Sequence, residues 1–159
     1  ACDQAAPPWL GACAYDAAGE MLSFLYPDLA APTQEEQGPV ADGEIVELPL
    51  AVESGAGLAE TALAYFPAAC PPEGCRLHLA LHGCAMSVEQ NGRAFVESAG
   101  YLPWARANDI VLLFPQVRTQ PFNPLGCWDW WGYTGENYLT RDGAQMKALA
   151  GWVARFTAQ

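Results

Sequence analysis

Basic residues are scarce in this sequence, which has 7 lysines and arginines against 18 aspartates and glutamates and a formal charge of −11. Nucleic-acid-binding proteins need basic groups that displace counterions, so this class of partner is excluded. Long apolar runs are also absent, because no stretch reaches the roughly 18 consecutive apolar residues that predict a membrane span. The 159 residues are nevertheless 52% hydrophobic, which excludes a disordered chain and predicts one folded domain with a substantial core.

Histidine is the second scarce residue type, with only His78 and His82 in the chain. The Gly-x-Ser-x-Gly motif of many serine hydrolases is missing, and the nearest stretch, residues 96–100 (VESAG), lacks the first glycine. His78 lies between leucines in a predicted strand, where we expect a structural role. The sequence therefore offers no complete Ser-His-Asp triad. An enzyme that pairs His78 or His82 with a carboxylate is the least favoured hypothesis.

The cysteines are even in number, and the chain has a single lysine, which is typical of oxidised, exported proteins. A zinc site is the alternative, but it requires two closely spaced cysteine pairs, and only the pair around residues 71–74 has such a spacing. The six cysteines permit many pairings. We predict three disulfides: Cys2–Cys13, Cys70–Cys75 and Cys84–Cys127. The expected location is secreted or periplasmic, with no metal or other cofactor.

Strand and helix patterns alternate after residue 75, which predicts a parallel α/β sheet. Residues 110–114 form a continuous apolar run, typical of a strand buried on both faces. Helices are expected over residues 16–29, 87–99, 104–107 and 142–156, and strands over residues 44–52, 63–66, 76–82 and 110–114. We expect one unit over residues 1–159, with a Cys-bounded start, helix and loop in residues 1–42 and the α/β core in residues 43–159.

A turn follows the strongest predicted strand at His82-Gly83-Cys84. Backbone amides at such a strand exit can point into the crevice above the carboxyl edge of the sheet, where α/β folds bind ligands. An amide in this position can stabilise a developing oxyanion. The alternative is an ordinary strand-ending turn with a hydrogen-bonded histidine.

Aromatic side chains are concentrated in residues 123–133, where four of them lie within six positions: Trp128, Trp130, Trp131 and Tyr133. They follow no regular period, and core packing accounts for only one or two of them. The cluster favours the wall of an apolar cleft over plain core. If Cys127 pairs with Cys84, this stretch lies beside the turn at His82, and the two form one site.

Five motifs occur in a characteristic order along the chain. They are residues 82–84 (HGC), 100–105 (GYLPWA), 113–116 (LFPQ), 123–133 (NPLGCWDWWGY) and 143–146 (GAQM). Together they resemble the esterase family of extracellular poly(3-hydroxybutyrate) depolymerases, and the likeness covers roughly residues 9–157. One departure is Met86, where the family pattern has glutamine.

The resemblance implies an α/β-hydrolase fold, and it assigns roles to residues of both candidate regions. The backbone amide of Cys84 would be an oxyanion-hole donor, with His82 and Gly83 supporting its loop. The residues beside the substrate crevice would be Asn123, Trp128, Trp130, Trp131 and Tyr133. No metal or cofactor is implied.

The order of elements further resembles a circularly permuted hydrolase, in which the half with serine, aspartate and histidine comes first. Residues 9–16 (WLGACAYD) are similar to the stretch that follows the histidine in such proteins. This chain would then be the C-terminal, oxyanion-loop half. The nucleophile half is expected on a second polypeptide or on a removed or omitted segment.

Two hypotheses follow. The first is an exported serine-type carboxylic ester hydrolase that acts on a hydrophobic polyester or hydroxyalkanoate oligomer and is active only with its nucleophile half. The second is a non-catalytic module that binds a hydrophobic polymer or a protein through the tryptophan-rich loop.

Overall fold

A computed structural model of the protein describes residues 2–3, 5–41, 44–52, 54–68 and 74–157. The strands in these ranges are β1 (Ile45–Pro49), β2 (Thr61–Tyr65), β3 (Arg76–Leu79) and β4 (Ile110–Phe114). The helices are α1 (Ala17–Leu25), α2 (Val88–Asn91), α3 (Ala94–Ser98), α4 (Tyr101–Ala107) and α5 (Ala144–Thr157). The predicted α/β class is confirmed, and β4 begins and ends where the apolar run predicts.

The four strands form one mixed sheet in the order β1-β2-β4-β3. β3 and β4 are parallel, as their sequence pattern predicts, and the crossover between them carries α2, α3 and α4. The other two pairs, β1 with β2 and β2 with β4, are antiparallel. The expectation of a parallel sheet is therefore correct only for β3 and β4, because β1 and β2 are joined without the helical crossover that parallel strands need.

β4 is buried at every position and carries the core of the molecule. Leu112 and Phe114 pack into one apolar cluster with Phe95 and Leu102 of the crossover helices. The intervening Leu113 packs into a second cluster on the opposite face, which includes Trp152 of α5. This alternation produces three layers, with helices on both faces of the sheet.

The two edges of the sheet differ in chemistry. β1, at one edge, exposes Glu47 and Pro49, which are residues that discourage pairing with a further strand. β3, at the other edge, consists of Arg76-Leu77-His78-Leu79, and its leucines are only partly buried. Within the described ranges β3 pairs with β4 alone. The expectation of an edge strand at residues 44–52 is thus confirmed, and β3 forms a second edge with partly exposed leucines.

All the helices differ from their predicted bounds, and α4 begins at Tyr101, three residues before its expected start. α1 begins after Asp16, whose Oδ1 accepts from the amide of Gly19 at 2.8 Å, but it ends at Leu25 because Pro27 disfavours helical backbone at the preceding residue. The helix expected over 87–99 is two short helices, since Gly92 adopts a left-handed φ of 58°. In α5, the predicted apolar stripe leaves Met146 and Val153 exposed.

Arg106 of α4 fixes the loop that leads from α1 into the sheet. Its Nε and Nη2 donate to both carboxylate oxygens of Glu44 at 2.6 and 2.7 Å, and each side chain is only 15% exposed. Its Nη1 donates to the backbone oxygens of Glu36 and Gly38 at 2.7 and 2.8 Å. The hydrogen bonds from Arg106 outweigh burial and hold the pKa of Glu44 below its ordinary range.

Replacing Glu44 by glutamine is expected to lower the free energy of unfolding by about 2 kcal/mol at neutral pH, because it removes a charge-assisted, bidentate hydrogen bond. Glu47→Gln, an exposed carboxylate on the neighbouring strand, is the matched control and should change stability little. Since the pKa of Glu44 is lower in the folded state, the difference between wild type and Glu44→Gln should be full above about pH 5 and shrink as the pH falls through the folded-state pKa. Urea denaturation at several pH values measures it, and a difference that persists in acid would contradict this account.

Candidate active site

The predicted turn after β3 is present, and hydrogen bonds fix its shape. The last ladder bond joins the amide of Ala80 to the oxygen of Leu113 at 3.0 Å, and the chain then leaves the sheet. The oxygen of Gly83 accepts from the amide of Met86 at 3.2 Å, which closes the turn. Gly83 suits this position because a Cβ would come within 2.9 Å of the Met86 sulfur.

His82 is 2% exposed, and both nitrogens of its ring are committed to the backbone. Nε2 accepts from the amide of Val117 at 3.2 Å, so Nδ1 carries the proton and donates to the oxygen of Gly83 at 2.8 Å. Burial lowers the pKa of His82, although the bond to Gly83 opposes this effect. The ring is therefore neutral and supports the turn, and it has no free nitrogen with which to act as a base.

Two connections fasten the turn to the aromatic stretch. Cys84 and Cys127 form a disulfide, as predicted, and the amide of Ala85 donates to the oxygen of Leu125 at 2.7 Å. The His82 ring also contacts the ring of Trp128, with centroids 5.8 Å apart. The two regions that the sequence marks separately thus lie side by side.

The backbone amide of Cys84 is the candidate oxyanion donor in this arrangement. Cys84 and Gly83 are both exposed, whereas the amides of Ala85 and Met86 are already bonded. Within the described ranges the Cys84 amide donates to no protein acceptor. The amide of Gly83 likewise has no described acceptor, so the turn presents unused backbone donors at the carboxyl end of β3, and that of Cys84 is the candidate.

The four aromatic residues of the stretch divide into two groups. Trp128 is partly buried under the turn, against His82. Trp130 is 70% exposed and contacts Trp131 at a ring separation of 5.2 Å, and Trp131 in turn contacts Tyr133 at 4.8 Å. Trp130 and Trp131 are exposed and Tyr133 is partly buried, so these three rings form a continuous aromatic row at the surface.

Asn123, predicted to lie beside the crevice, is 1% exposed. Its Nδ2 donates to the oxygen of Cys127 at 2.8 Å, and its Oδ1 accepts from the amide of the same residue at 2.9 Å. Both polar groups are therefore occupied inside the loop. The side chain also interacts with the hydroxyl of Tyr133, where it opposes the burial that raises the pKa of that group. These contacts lie inside the loop, so a role for Asn123 beside the crevice stays a prediction.

Three polar residues of the site were missed as functional candidates. Gln145 of α5 accepts from the amide of Asp129 at 2.8 Å and donates to the hydroxyl of Tyr133 at 2.8 Å. Gln116 accepts from the amide of Val88 at 2.8 Å, so it caps α2 although Ser87 makes no capping bond. The carboxylate of Asp129 accepts hydrogen bonds from backbone amides of the aromatic loop itself. The sequence feature that could have identified these three residues is their polarity within otherwise apolar motifs.

The remaining candidate groups do not assemble a triad within the described ranges. Burial lowers the pKa of His78, and its ring packs between those of Tyr26 and Tyr101 at 6.5 and 5.5 Å, as expected for a structural residue. Ser98 lies at the end of α3 and not between a strand and a helix. In the same ranges no serine hydroxyl is hydrogen-bonded to a histidine.

The predicted disulfide between Cys2 and Cys13 is present. The third predicted pair includes Cys70, which lies outside the described residues. In the part of the chain that the structure describes, no helix is both long and apolar enough to cross a membrane, and no cluster of potential metal ligands occurs.

This arrangement corresponds to part of an α/β-hydrolase. It has parallel strands β3 and β4, a turn that presents a backbone amide where β3 ends, and helices on both faces of the sheet. The chain matches no protein-family model. Over 99% of its length it is similar to a poly(3-hydroxybutyrate) depolymerase of Delftia acidovorans (36% identity) and a polyhydroxybutyrate depolymerase of Talaromyces funiculosus (32% identity). It covers 32% and 49% of these two proteins.

Solved structures agree with this relationship. The crystal structure of the PHB depolymerase from Penicillium funiculosum matches 99% of the chain with a TM-score of 0.86 at 31% identity, and the chain covers 53% of it. A PHB depolymerase structure complexed with R3HB trimer matches with a TM-score of 0.88. The chain is thus homologous to poly(3-hydroxybutyrate) depolymerases, as its motif order predicts, and spans about a third to a half of the relatives it matches.

Proposed function

We propose that this chain supplies one oxyanion donor and the substrate-binding wall of a serine-type carboxylic ester hydrolase that cleaves polyhydroxyalkanoates such as poly(3-hydroxybutyrate). The observation that supports the proposal is the amide of the exposed residue Cys84, which has no described acceptor and is held beside the aromatic stretch by a disulfide. An oxyanion hole requires such a fixed donor, because its benefit comes from needing no rearrangement as charge develops.

The proposed reaction is acyl transfer. The hydroxyl of a serine from the nucleophile half attacks the ester carbonyl, and the carbonyl oxygen becomes negatively charged. The amide of Cys84 and one beside that serine donate hydrogen bonds to this oxygen. A base on the nucleophile half takes the serine proton and gives it to the alcohol end of the polyester, which leaves. Water, activated by the same base, then hydrolyses the acyl-enzyme and releases the hydroxy acid. His82 takes no part in proton transfer because both of its nitrogens are occupied.

The edge of β3 is the proposed docking position for the nucleophile half, whether that half lies on a second polypeptide or elsewhere in a longer chain. β3 is parallel to β4, and parallel strands are normally buried inside a sheet. Its leucines remain partly exposed, and Leu81, just beyond the strand, is 44% exposed. A strand added here would carry its C-terminal end to the Cys84 turn. A circularly permuted order of the two halves is compatible with this position.

The aromatic row is the proposed wall of the polyester crevice. Trp130, Trp131 and Tyr133 present flat, apolar surfaces that suit the methylene and methyl groups of a hydroxyalkanoate chain. Trp128 lies nearest the Cys84 turn through its contact with His82 and would border the ester that is cleaved. The two described disulfides support a secreted or periplasmic location, and residues 1–159 are proposed to act as a single unit.

The test is ester turnover with and without a nucleophile-bearing half. Short-chain p-nitrophenyl esters and a fluorophosphonate probe should give turnover and labelling only in the assembly, with the label on the serine of the other half. Full activity of the nucleophile half alone would contradict the proposal.

A second candidate function is a non-catalytic module that binds a hydrophobic polymer. The 70% exposure of Trp130 favours it, since an exposed indole can adsorb to an apolar surface. Retention of the chain on polyester films, with no turnover in any assembly, would establish this function instead.

The open β3 edge leads to a further expected result. The isolated chain should self-associate at micromolar concentration, because a strand edge with partly exposed leucines and, among the described residues, no second partner strand favours strand addition. Sedimentation velocity measures the association, and adding the nucleophile half should convert the larger species into a one-to-one complex. A monodisperse monomer that melts cooperatively without a partner would contradict the proposed docking edge.

A further inference from the structure

The aromatic loop is organised around one carboxylate, that of Asp129. Its Oδ1 accepts from the backbone amides of Gly132, Tyr133 and Trp131 at 2.6, 3.1 and 3.2 Å. Its Oδ2 accepts from the amide and the hydroxyl of Thr134 at 2.8 and 2.6 Å. Five donors from four successive residues therefore converge on one side chain, and two of these residues, the exposed Trp131 and the partly buried Tyr133, carry rings of the aromatic row.

Contacts with α5 fix the position of the Asp129 carboxylate. The amide of Asp129 donates to Gln145, which is 8% exposed on α5. The same Gln145 donates to the hydroxyl of Tyr133, and that hydroxyl donates to the oxygen of Cys127 at 2.9 Å. The chain of contacts thus runs from α5 through Asp129 and Tyr133 to the disulfide that holds the Cys84 turn.

The backbone of this loop has no regular secondary structure, so hydrogen bonds from side chains hold its conformation. Gly132 adopts a left-handed φ of 93°, and Trp130 and Trp131 have no regular secondary structure. Although desolvation raises the pKa of Asp129, the hydrogen bonds from Thr134, Gly132 and Tyr133 outweigh it and hold the pKa below its ordinary range. The side chain is therefore an anion at neutral pH, which is the form that can accept all five bonds.

We propose that Asp129 is a positioning residue that holds Trp131 and Tyr133 in the conformation that binds a polyester chain and so determines affinity for long substrates. The inference rests on the proposed function of the same site and adds the residue that preorganises it. A preformed aromatic wall matters for a substrate that extends along it and little for an ester that reaches only the oxyanion turn.

Asp129→Asn tests the inference in the enzyme assembled with its nucleophile half. An amide cannot accept five bonds, so we expect KM for the R3HB trimer to rise about tenfold or more with kcat within about threefold. Turnover of p-nitrophenyl acetate should remain within about twofold. Glu136→Gln, which removes an exposed carboxylate from the same stretch, is the matched control and should behave as wild type.

A milder variant, Thr134→Val, tests the same inference in case Asp129→Asn does not fold. Thr134→Val removes only the hydroxyl donor and should raise KM for the trimer about threefold in the same direction.

Near-ultraviolet circular dichroism should show a weaker tryptophan signal in Asp129→Asn and an unchanged signal in Glu136→Gln. If Asp129→Asn lowers turnover of the trimer and of p-nitrophenyl acetate to the same extent, or if its affinity for the trimer stays within twofold of wild type, the inference is overturned. Absence of ester turnover in the wild-type assembly would overturn the proposed function. The role of Asp129 could still be tested in that case, by measuring direct binding of the trimer through tryptophan fluorescence.

Discussion

Replacing Cys84 by proline in a Cys127→Ser background is expected to lower kcat for ester hydrolysis by about a hundredfold to a thousandfold. Proline has no backbone N–H, so the substitution removes the proposed oxyanion donor itself. Loss of one such donor has effects of about this size in other acyl-transfer enzymes. The preceding Gly83 tolerates the backbone restriction that proline imposes on its neighbour.

The matched control is Cys84→Ser in the same Cys127→Ser background. It lacks the same disulfide but keeps the amide, so the difference between the two variants isolates the N–H. KM should differ little, because the donor acts on charge that develops only in the transition state. Equal kcat values for the proline and serine variants, with both folded by circular dichroism, would show that this amide is not in the oxyanion hole.

The second large effect is expected from the disulfide between Cys84 and Cys127. Replacing both residues by serine should lower the free energy of unfolding by about 4 kcal/mol on the chain-entropy model, since the bridge closes a loop with a sequence separation of 43. For a chain of this size the melting temperature should fall by roughly 8 to 16 °C. Activity on the R3HB trimer should fall as well, because the aromatic loop is no longer fastened to the turn.

The disulfide between Cys2 and Cys13 provides the comparison. It has a sequence separation of 11, and the hydrogen bonds described for its two cysteines stay within residues 2–13, so its removal should cost about 3 kcal/mol and leave the activity of the folded enzyme unchanged. Calorimetry together with trimer hydrolysis separates the two bridges. Equal loss of activity from both double variants would mean that the bridge at Cys84 acts only through stability.

The strands and helices were predictable where one local signal dominated. β4 is an uninterrupted apolar run, and α1 begins at a capping aspartate, so both were located from the sequence. The ends of helices depended on single residues: Pro27 shortened α1, and the left-handed Gly92 divided the helix expected over 87–99. The antiparallel direction of β1 and β2 could not be derived, because it depends on contacts between segments distant in sequence.

The site was predictable in its position and less so in its internal connections. The pairing of Cys84 with Cys127 placed the turn and the aromatic stretch together, as expected. The burial of Asn123 and the five bonds to Asp129 were not predictable, because short polar side chains in a loop have no period that reveals their direction. Only the folded loop shows which of its polar groups face inward.

The most direct test of the account is a crystal structure of the assembly after phosphonylation of its serine. The phosphonyl group mimics the tetrahedral intermediate, and its anionic oxygen occupies the position of the oxyanion. If the Cys84 amide is the oxyanion donor, this oxygen lies about 2.7 to 3.1 Å from its nitrogen, with the substituent of the probe against Trp128 or the aromatic row. A phosphonyl oxygen that is hydrogen-bonded elsewhere, with the Cys84 amide more than about 4 Å away, would contradict it.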